Sequence, residues 1–307
     1  MKKSLAAKGK KADTFYKMFS EVISGGEIFQ SSIVIAYYIL FSIFPIIIIA
    51  GNILPLFHIN TAPIAAYLSL IFPDQVSEFI MPIINSLLKS NSTGYISFGI
   101  ILALWSFSNL VNAIRIGMNR LYGVHEVELK LSFLSFLWTR SFTVLLTTLM
   151  IIGFTGIGLV MIFGQQVLEF LRPVLSFSVG EIERIFSYRY LVVLLMMMVT
   201  VVYLNYVLPN IKLHKRIIWP GVIFTVFGWF ALSYLFGFYL HNFPISWENY
   251  GIVGTFIIFM LWLNIISLLL LIGTSINATL IRLKYGKLEY SAGRVASFIQ
   301  KKRHENK

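Results

Sequence analysis

Four polar side chains follow one another along a single apolar stretch of this chain: Asn109, Asn112, Arg115 and Asn119, at spacings of three, three and four. At about 100° per residue on a helix, they fall within about 120° of one another. They therefore form one polar stripe, which Arg120 continues at its far end. An arginine in such a place must find water, phosphate or an acid, and no Asp or Glu lies in any of the long apolar segments. The chemistry on offer is recognition of an anionic group. Tyr203, Asn205 and Asn210 form a second candidate group, and Asn264 a third, on a face shared with Ser267, Thr274 and Ser275. Such amides and hydroxyls also bind neighbouring helices to one another, each bond contributing about 0.6–2 kcal/mol. For Ser267, Thr274 and Ser275 that structural role is the expectation.

Catalysis has no comparable candidate. The five histidines are scattered at 58, 125, 214, 241 and 304, and no two share the spacing that puts imidazoles on one helical face. Cysteine is absent, which removes disulfides, thiolate chemistry and Cys-based metal sites. No Walker loop, G-x-S-x-G or H-E-x-x-H is present. Glu181 and Glu183 read as solvated loop residues. The expectation is a protein that is not an enzyme and uses neither metal nor cofactor.

The stripe needs elements to position it, and the composition says what they are. The chain has 307 residues, 57% hydrophobic and only 12% charged, with a mean hydropathy of +0.79. Soluble domains carry about 25% charge. Crossing a hydrocarbon core takes about 20 apolar residues. Six segments qualify: Ile33–Phe57, Tyr95–Ile114, Phe142–Phe163, Tyr190–Ile211, Ile217–Leu240 and Gly251–Ile281. None alternates apolar and polar residues as a barrel strand would. The fold class that follows is an all-α polytopic membrane protein with six transmembrane helices and short amphipathic interfacial helices. Pro45 removes a backbone donor within the first span and is expected to kink it.

The charges set the orientation. With both termini on one side, 21 of the 25 Lys and Arg residues share that side, and only Lys89, Arg172, Arg184 and Arg189 lie on the other. Basic residues accumulate in cytoplasmic loops, so both termini are expected inside. The same asymmetry accounts for the net charge of +12 without a nucleic-acid partner; membrane lipid is the partner expected. The chain divides into a basic arm over 1–32, a membrane domain over 33–281 and a basic tail over 282–307. Asp13–Gln30 reads as an amphipathic helix broken at Gly25-Gly26. Apolar residues from Val76 to Leu88 recur at helical spacing and suggest an outer interfacial helix, and Gln166–Tyr188 a second. The basic start lacks the apolar core and cleavage site of a signal peptide.

Several stretches resemble the YihY/BrkB family of bacterial inner-membrane proteins. They are AYYILFSIFP (Ala36–Pro45), LALWSFSNLVNAIRIGMNRLYGV (Leu102–Val124), YVLPN (Tyr206–Asn210), WPG (Trp219–Gly221) and YGIVGTFIIFMLWLNIISLLLLIGTSINA (Tyr250–Ala278). Together they run from the first span to the sixth. The resemblance implies six helices and an address in the bacterial cytoplasmic membrane. Members have been called ribonuclease BN, but the short cytoplasmic loops carry no clustered metal ligands for that chemistry. The family's proposed roles lean towards transport of lipid-like or amphipathic molecules.

Two functions follow as expectations: transport or flipping of an anionic amphipathic molecule, or a non-transporting scaffold or assembly factor. Both share one topology, which the absence of cysteine makes simple to check. Single cysteines at Glu78 or Ser246 should react with an impermeant maleimide added outside intact cells, and those at Glu128 or His214 should not. The opposite pattern would reverse every side assigned above.

Overall fold

Hydrocarbon offers a backbone no hydrogen-bond partner, so an apolar chain crossing it must satisfy its own N–H and C=O groups, as a helix does. The computed structural model describes residues 2–53, 77, 81, 82, 85, 96–125, 145, 189–212, 216–242 and 251–291. Six helices are described: α1 (Lys2–Gly25), α2 (Ile28–Ile53), α3 (Ile96–Tyr122), α4 (Arg189–Val207), α5 (Trp219–Asn242) and α6 (Gly251–Tyr285). Among the described residues there is no strand, only an isolated antiparallel bridge between Ile211 and Tyr290. The expected span Phe142–Phe163 and the two outer interfacial helices lie outside the described residues, apart from isolated helical positions. Among the described residues, three helical segments are long and apolar enough to cross a membrane: Ile101–Tyr122, Trp219–Tyr239 and Phe256–Tyr285. The broken pair Asp13–Gly25 and Ile28–Ile43 makes a fourth, while Leu191–Val207 is apolar but shorter.

The break between α1 and α2 falls where the paired glycines suggest, and the two segments meet at 53°. Gly26 is buried there; a Cβ on it would lie 2.2 Å from Leu121 Cδ2 and 2.8 Å from the Val22 carbonyl. Glu27 follows with a positive φ of 47°. Pro45 lies buried inside α2, which runs on through it to Ile53.

Helix ends depart from the hydropathy boundaries for local reasons. Beyond Ile114, α3 continues to Tyr122 because polar Asn119 and Arg120 find partners within the protein. It stops at Gly123, whose φ of 71° suits a residue without a side chain. The Gly123 and Val124 amides then donate back to the carbonyls of Arg120 and Asn119, closing a Schellman cap. α4 ends at Val207, short of the expected Ile211, since Pro209 cannot extend a helix through its missing N–H.

α6 is the central element, packing against α1, α2, α3 and α5, while α2 lies along α3 and α4 against α5. It approaches α5 closely, because both helices present glycine. A Cβ on Gly221 would sit 2.0 Å from the Gly273 carbonyl oxygen, and one on Gly273 2.6 Å from that of Gly221. Trp229 donates to the Ile266 carbonyl farther along the same seam. One apolar core, including Met118, Leu121, Val222 and Leu271, fills the polar end of the bundle. A second, of Ala36, Phe236, Ile258, Phe259, Trp262 and Leu263, joins α2, α5 and α6 farther along.

Gly221→Ala should therefore push backbone against backbone and lower stability by about 1–3 kcal/mol, as overpacking does. Gly237, with nothing within 4 Å of a built Cβ, should accept alanine with no loss. Thermal unfolding of the two variants in detergent distinguishes the sites.

Candidate functional site

The α3 stripe divides into two parts. Arg115 is only 3% exposed, and its Nη2 donates to Asn112 Oδ1 at 2.8 Å. This bond joins residues one turn apart on the same face, as the spacing requires. Asn109 is half-buried one turn earlier. One turn later, Asn119 is fully buried, and its Oδ1 accepts the backbone N–H of Asn210 at 2.9 Å. Arg120 turns to the α1–α2 break, where Nη1 lies 2.8 Å from Glu27 Oε2 and 3.4 Å from Ser31 Oγ.

Asn119 is part of a polar knot at one end of the bundle. The Asn210 side-chain amide donates to Tyr290 Oη at 3.2 Å. Lys212 N donates to the Glu289 carbonyl and Ser291 N to that of Asn210, so the segment after α6 pairs with the α4–α5 turn. Lys212 and Glu289 also form an exposed ion pair at 3.2 Å. Arg216 Nη1 donates to the Tyr206 carbonyl, and Nη2 to those of Pro209 and Ile211. Its guanidinium lies over the Tyr206 ring. Arg282 Nη2 reaches the Leu121 carbonyl at the end of α3 at 3.0 Å. These arginines supply donors to carbonyls that a helix terminus leaves unpaired. The elements gathered here are the start of α2, the end of α3, the end of α4, the start of α5 and the end of α6. The charge count had placed these same ends on one side of the membrane.

The other candidates are dispersed. Asn205 is fully buried between α4 and α6; its Oδ1 accepts from Thr274 Oγ1 at 3.2 Å and from Asn277 Nδ2 at 3.0 Å. Asn277 Oδ1 in turn accepts the Gly221 N–H at 2.8 Å, tying three helices through two amides. Asn264 Oδ1 accepts from Ser32 Oγ at 2.9 Å, joining α6 to α2. Tyr203 packs against the larger apolar core. The hydroxyls of Ser267, Thr274 and Ser275 donate to carbonyls four residues earlier in α6. The structure thus brings Arg115 and Asn112 together, joins Asn119 to Asn210, and sets Asn205 and Asn264 in separate interhelical bonds.

Asn277, Glu27, Arg282 and Tyr290 belong to these networks and were not singled out from the sequence. The signal for Glu27 was present, since an acid beside a glycine break is placed to meet a cation from another helix. Asn277 repeats the spacing of Thr274 by three residues. Nothing local marks Tyr290. Among the described residues, no three His, Asp or Glu side chains gather to hold a metal.

The family model described as Virulence factor BrkB matches residues 19–294, which takes in every helix of the knot. The chain belongs to the Virulence factor BrkB family. It is an integral membrane protein of that family, built from helices. A relative named putative ribonuclease-like protein YfkH, from Bacillus subtilis (strain 168), is 29% identical over 246 residues, covering 80% of this chain and 87% of the relative. No solved structure matches significantly.

Replacing Asn205 by leucine removes the acceptor shared by Thr274 and Asn277 and should cost about 1–3 kcal/mol. Thr200→Val deletes a hydroxyl bonded to the Met196 carbonyl in its own helix and should stay within about 0.5 kcal/mol of the parent. Detergent unfolding midpoints provide the comparison.

Proposed function

We propose that this protein carries or flips an anionic lipid-like or amphipathic molecule across the bacterial cytoplasmic membrane, with both termini in the cytoplasm and no enzymatic step. The observation that carries this reading is the burial of Arg115 on a helix apolar enough to cross the membrane, beside a neutral amide. Guanidinium stays protonated in proteins, and a fixed charge in an apolar span is costly enough to mark a functional position. In this reading, Arg115 grips a phosphate or carboxylate through its planar fork. Asn112 orients the fork, Asn109 lines the approach, and acyl chains follow the apolar faces on either side.

A second reading, a non-transporting scaffold or assembly factor, draws on the bonds of Asn119, Asn205 and Asn210, which hold helices together. The two separate at Arg115. Lysine supplies a long cation but not a bidentate fork. If Arg115 grips an anion, Arg115→Lys should lower transport of a labelled anionic lipid by about tenfold or more, the loss of roughly 1.4 kcal/mol or more of a charge-assisted bond, at unchanged expression and melting temperature. Full activity of that variant in vesicles would defeat the anion-site reading.

A further inference from the structure

After α4 ends at Val207, the chain turns into the bundle rather than away from it. Leu208, Asn210 and Ile211 are all buried, although the backbone there is no longer helical. Irregular backbone near hydrocarbon is tolerated where protein covers it and supplies its hydrogen bonds. Part of that supply is local: Arg216 donates to the carbonyls of Tyr206, Pro209 and Ile211, which keeps the turn in shape. Ties to other elements run through Asn210. Its main-chain N–H is held by Asn119 on α3, and its side-chain amide by Tyr290 beyond α6.

The cover over this turn is the segment 286–291. α6 ends at Tyr285, and Gly286, with a φ of 75° and nothing within 4 Å of a built Cβ, redirects the chain. The residues that follow alternate as an extended segment laid on a surface does. Lys287 and Glu289 are exposed, while Leu288 and Tyr290 are half-buried against the main core. What fastens the segment is slight. Two main-chain bonds flank the Ile211–Tyr290 bridge, from Lys212 N to the Glu289 carbonyl and from Ser291 N to that of Asn210. The Lys212–Glu289 pair has side chains 73% and 75% exposed, and pairs so exposed contribute little. Two paired extended segments are at best marginally stable by themselves. A weakly fastened segment thus lies over a buried turn, an arrangement that opens locally while the rest of the fold stays closed.

We propose that residues 286–291 are a releasable strap, and that Asn210 transmits its release to α3. With Tyr290 in place, the main-chain and side-chain amides of Asn210 both have acceptors, and Asn119 is sealed from water. When the strap lifts at Gly286, the Asn210 side chain loses its acceptor and draws water towards the Asn119 end of the α3 stripe. Arg216 keeps the turn folded meanwhile. This device goes beyond the transport reading and does not rest on it.

Hydrogen exchange of the full-length protein in lipid nanodiscs, resolved to single amides by electron-transfer fragmentation, reads the opening. The amides of Asn210, Lys212 and Ser291 should exchange faster than that of Gly221, which Asn277 holds at the same end of the bundle without the strap. Tyr290→Phe removes one neutral hydrogen bond and should speed all three by about fivefold, with Gly221 unchanged. A lock supplies the converse. Ile211 and Tyr290 face each other as a non-hydrogen-bonded antiparallel pair, whose Cα atoms ordinarily stand about 4.5 Å apart, within disulfide reach. Ile211→Cys combined with Tyr290→Cys, in a chain without other cysteines, should therefore bridge on oxidation. The bridge should slow the Asn210 and Lys212 amides by about tenfold or more relative to the reduced protein, and reduction should release them. Exchange of the three amides no faster than Gly221, indifference of any of them to Tyr290→Phe, failure of the cysteines to bridge, or equal exchange in the oxidised and reduced forms would overturn the proposal.

Discussion

Where a helix stops near hydrocarbon, the carbonyls and amides it leaves unpaired must be met by the chain itself, because no water is at hand. Much of the described structure follows from that requirement. The end of α3 receives the Gly123 and Val124 amides and the Arg282 guanidinium; the end of α4 receives Arg216. The start of α5 gives its Gly221 amide to Asn277, and the turn before it gives the Asn210 amide to Asn119. The caps from Arg282, Asn277 and Asn119 each come from another helix, so satisfying these termini also fixes how the helices assemble. Tight contacts such as Gly221 on Gly273 then follow, since an amide can reach a neighbouring backbone only if the two helices nearly touch.

The sequence made the helical class legible, because hydropathy and charge are averages over many residues and survive local error. The glycine break before α2 was legible for the same kind of reason: two adjacent glycines forgo helix propensity without gaining a side chain. The helix ends were less so. Hydropathy put the end of the second span at Ile114, yet Asn119 and Arg120 prolong the helix because Asn210 and Glu27 satisfy them. Those partners lie about ninety residues away in sequence, beyond any local pattern. Within the candidate site, helical periodicity put Arg115 and Asn112 on one face, one turn apart, where the structure has them bonded. It could not foresee that Asn205 and Asn264 would face different helices, since a single helix's period does not say which neighbour occupies which side.

Four arginines at one end of the bundle illustrate how environment divides a residue type. Arg216 and Arg282 are caps, spending their donors on main-chain carbonyls. Arg120 meets a carboxylate, partly exposed and therefore weak in net stabilisation. In each of these, the cation joins two segments, and assembly is sufficient reason for its presence. The end of α1 meets Arg120 through Glu27, and the segment after α6 pairs with the α4–α5 turn, both at this polar end.

The bond from Arg115 to Asn112 lies within one helix. A buried guanidinium suffers a desolvation that an apolar side chain does not, and burial of an ion pair or charge is often less stable than an apolar replacement. The amide beside it prepares one edge of the guanidinium and holds the plane in a set direction. A planar donor, pre-oriented and held at low dielectric, strengthens any interaction with an anion that reaches it. That is the physical ground for distinguishing Arg115 from Arg216 and Arg282, which cap main-chain carbonyls.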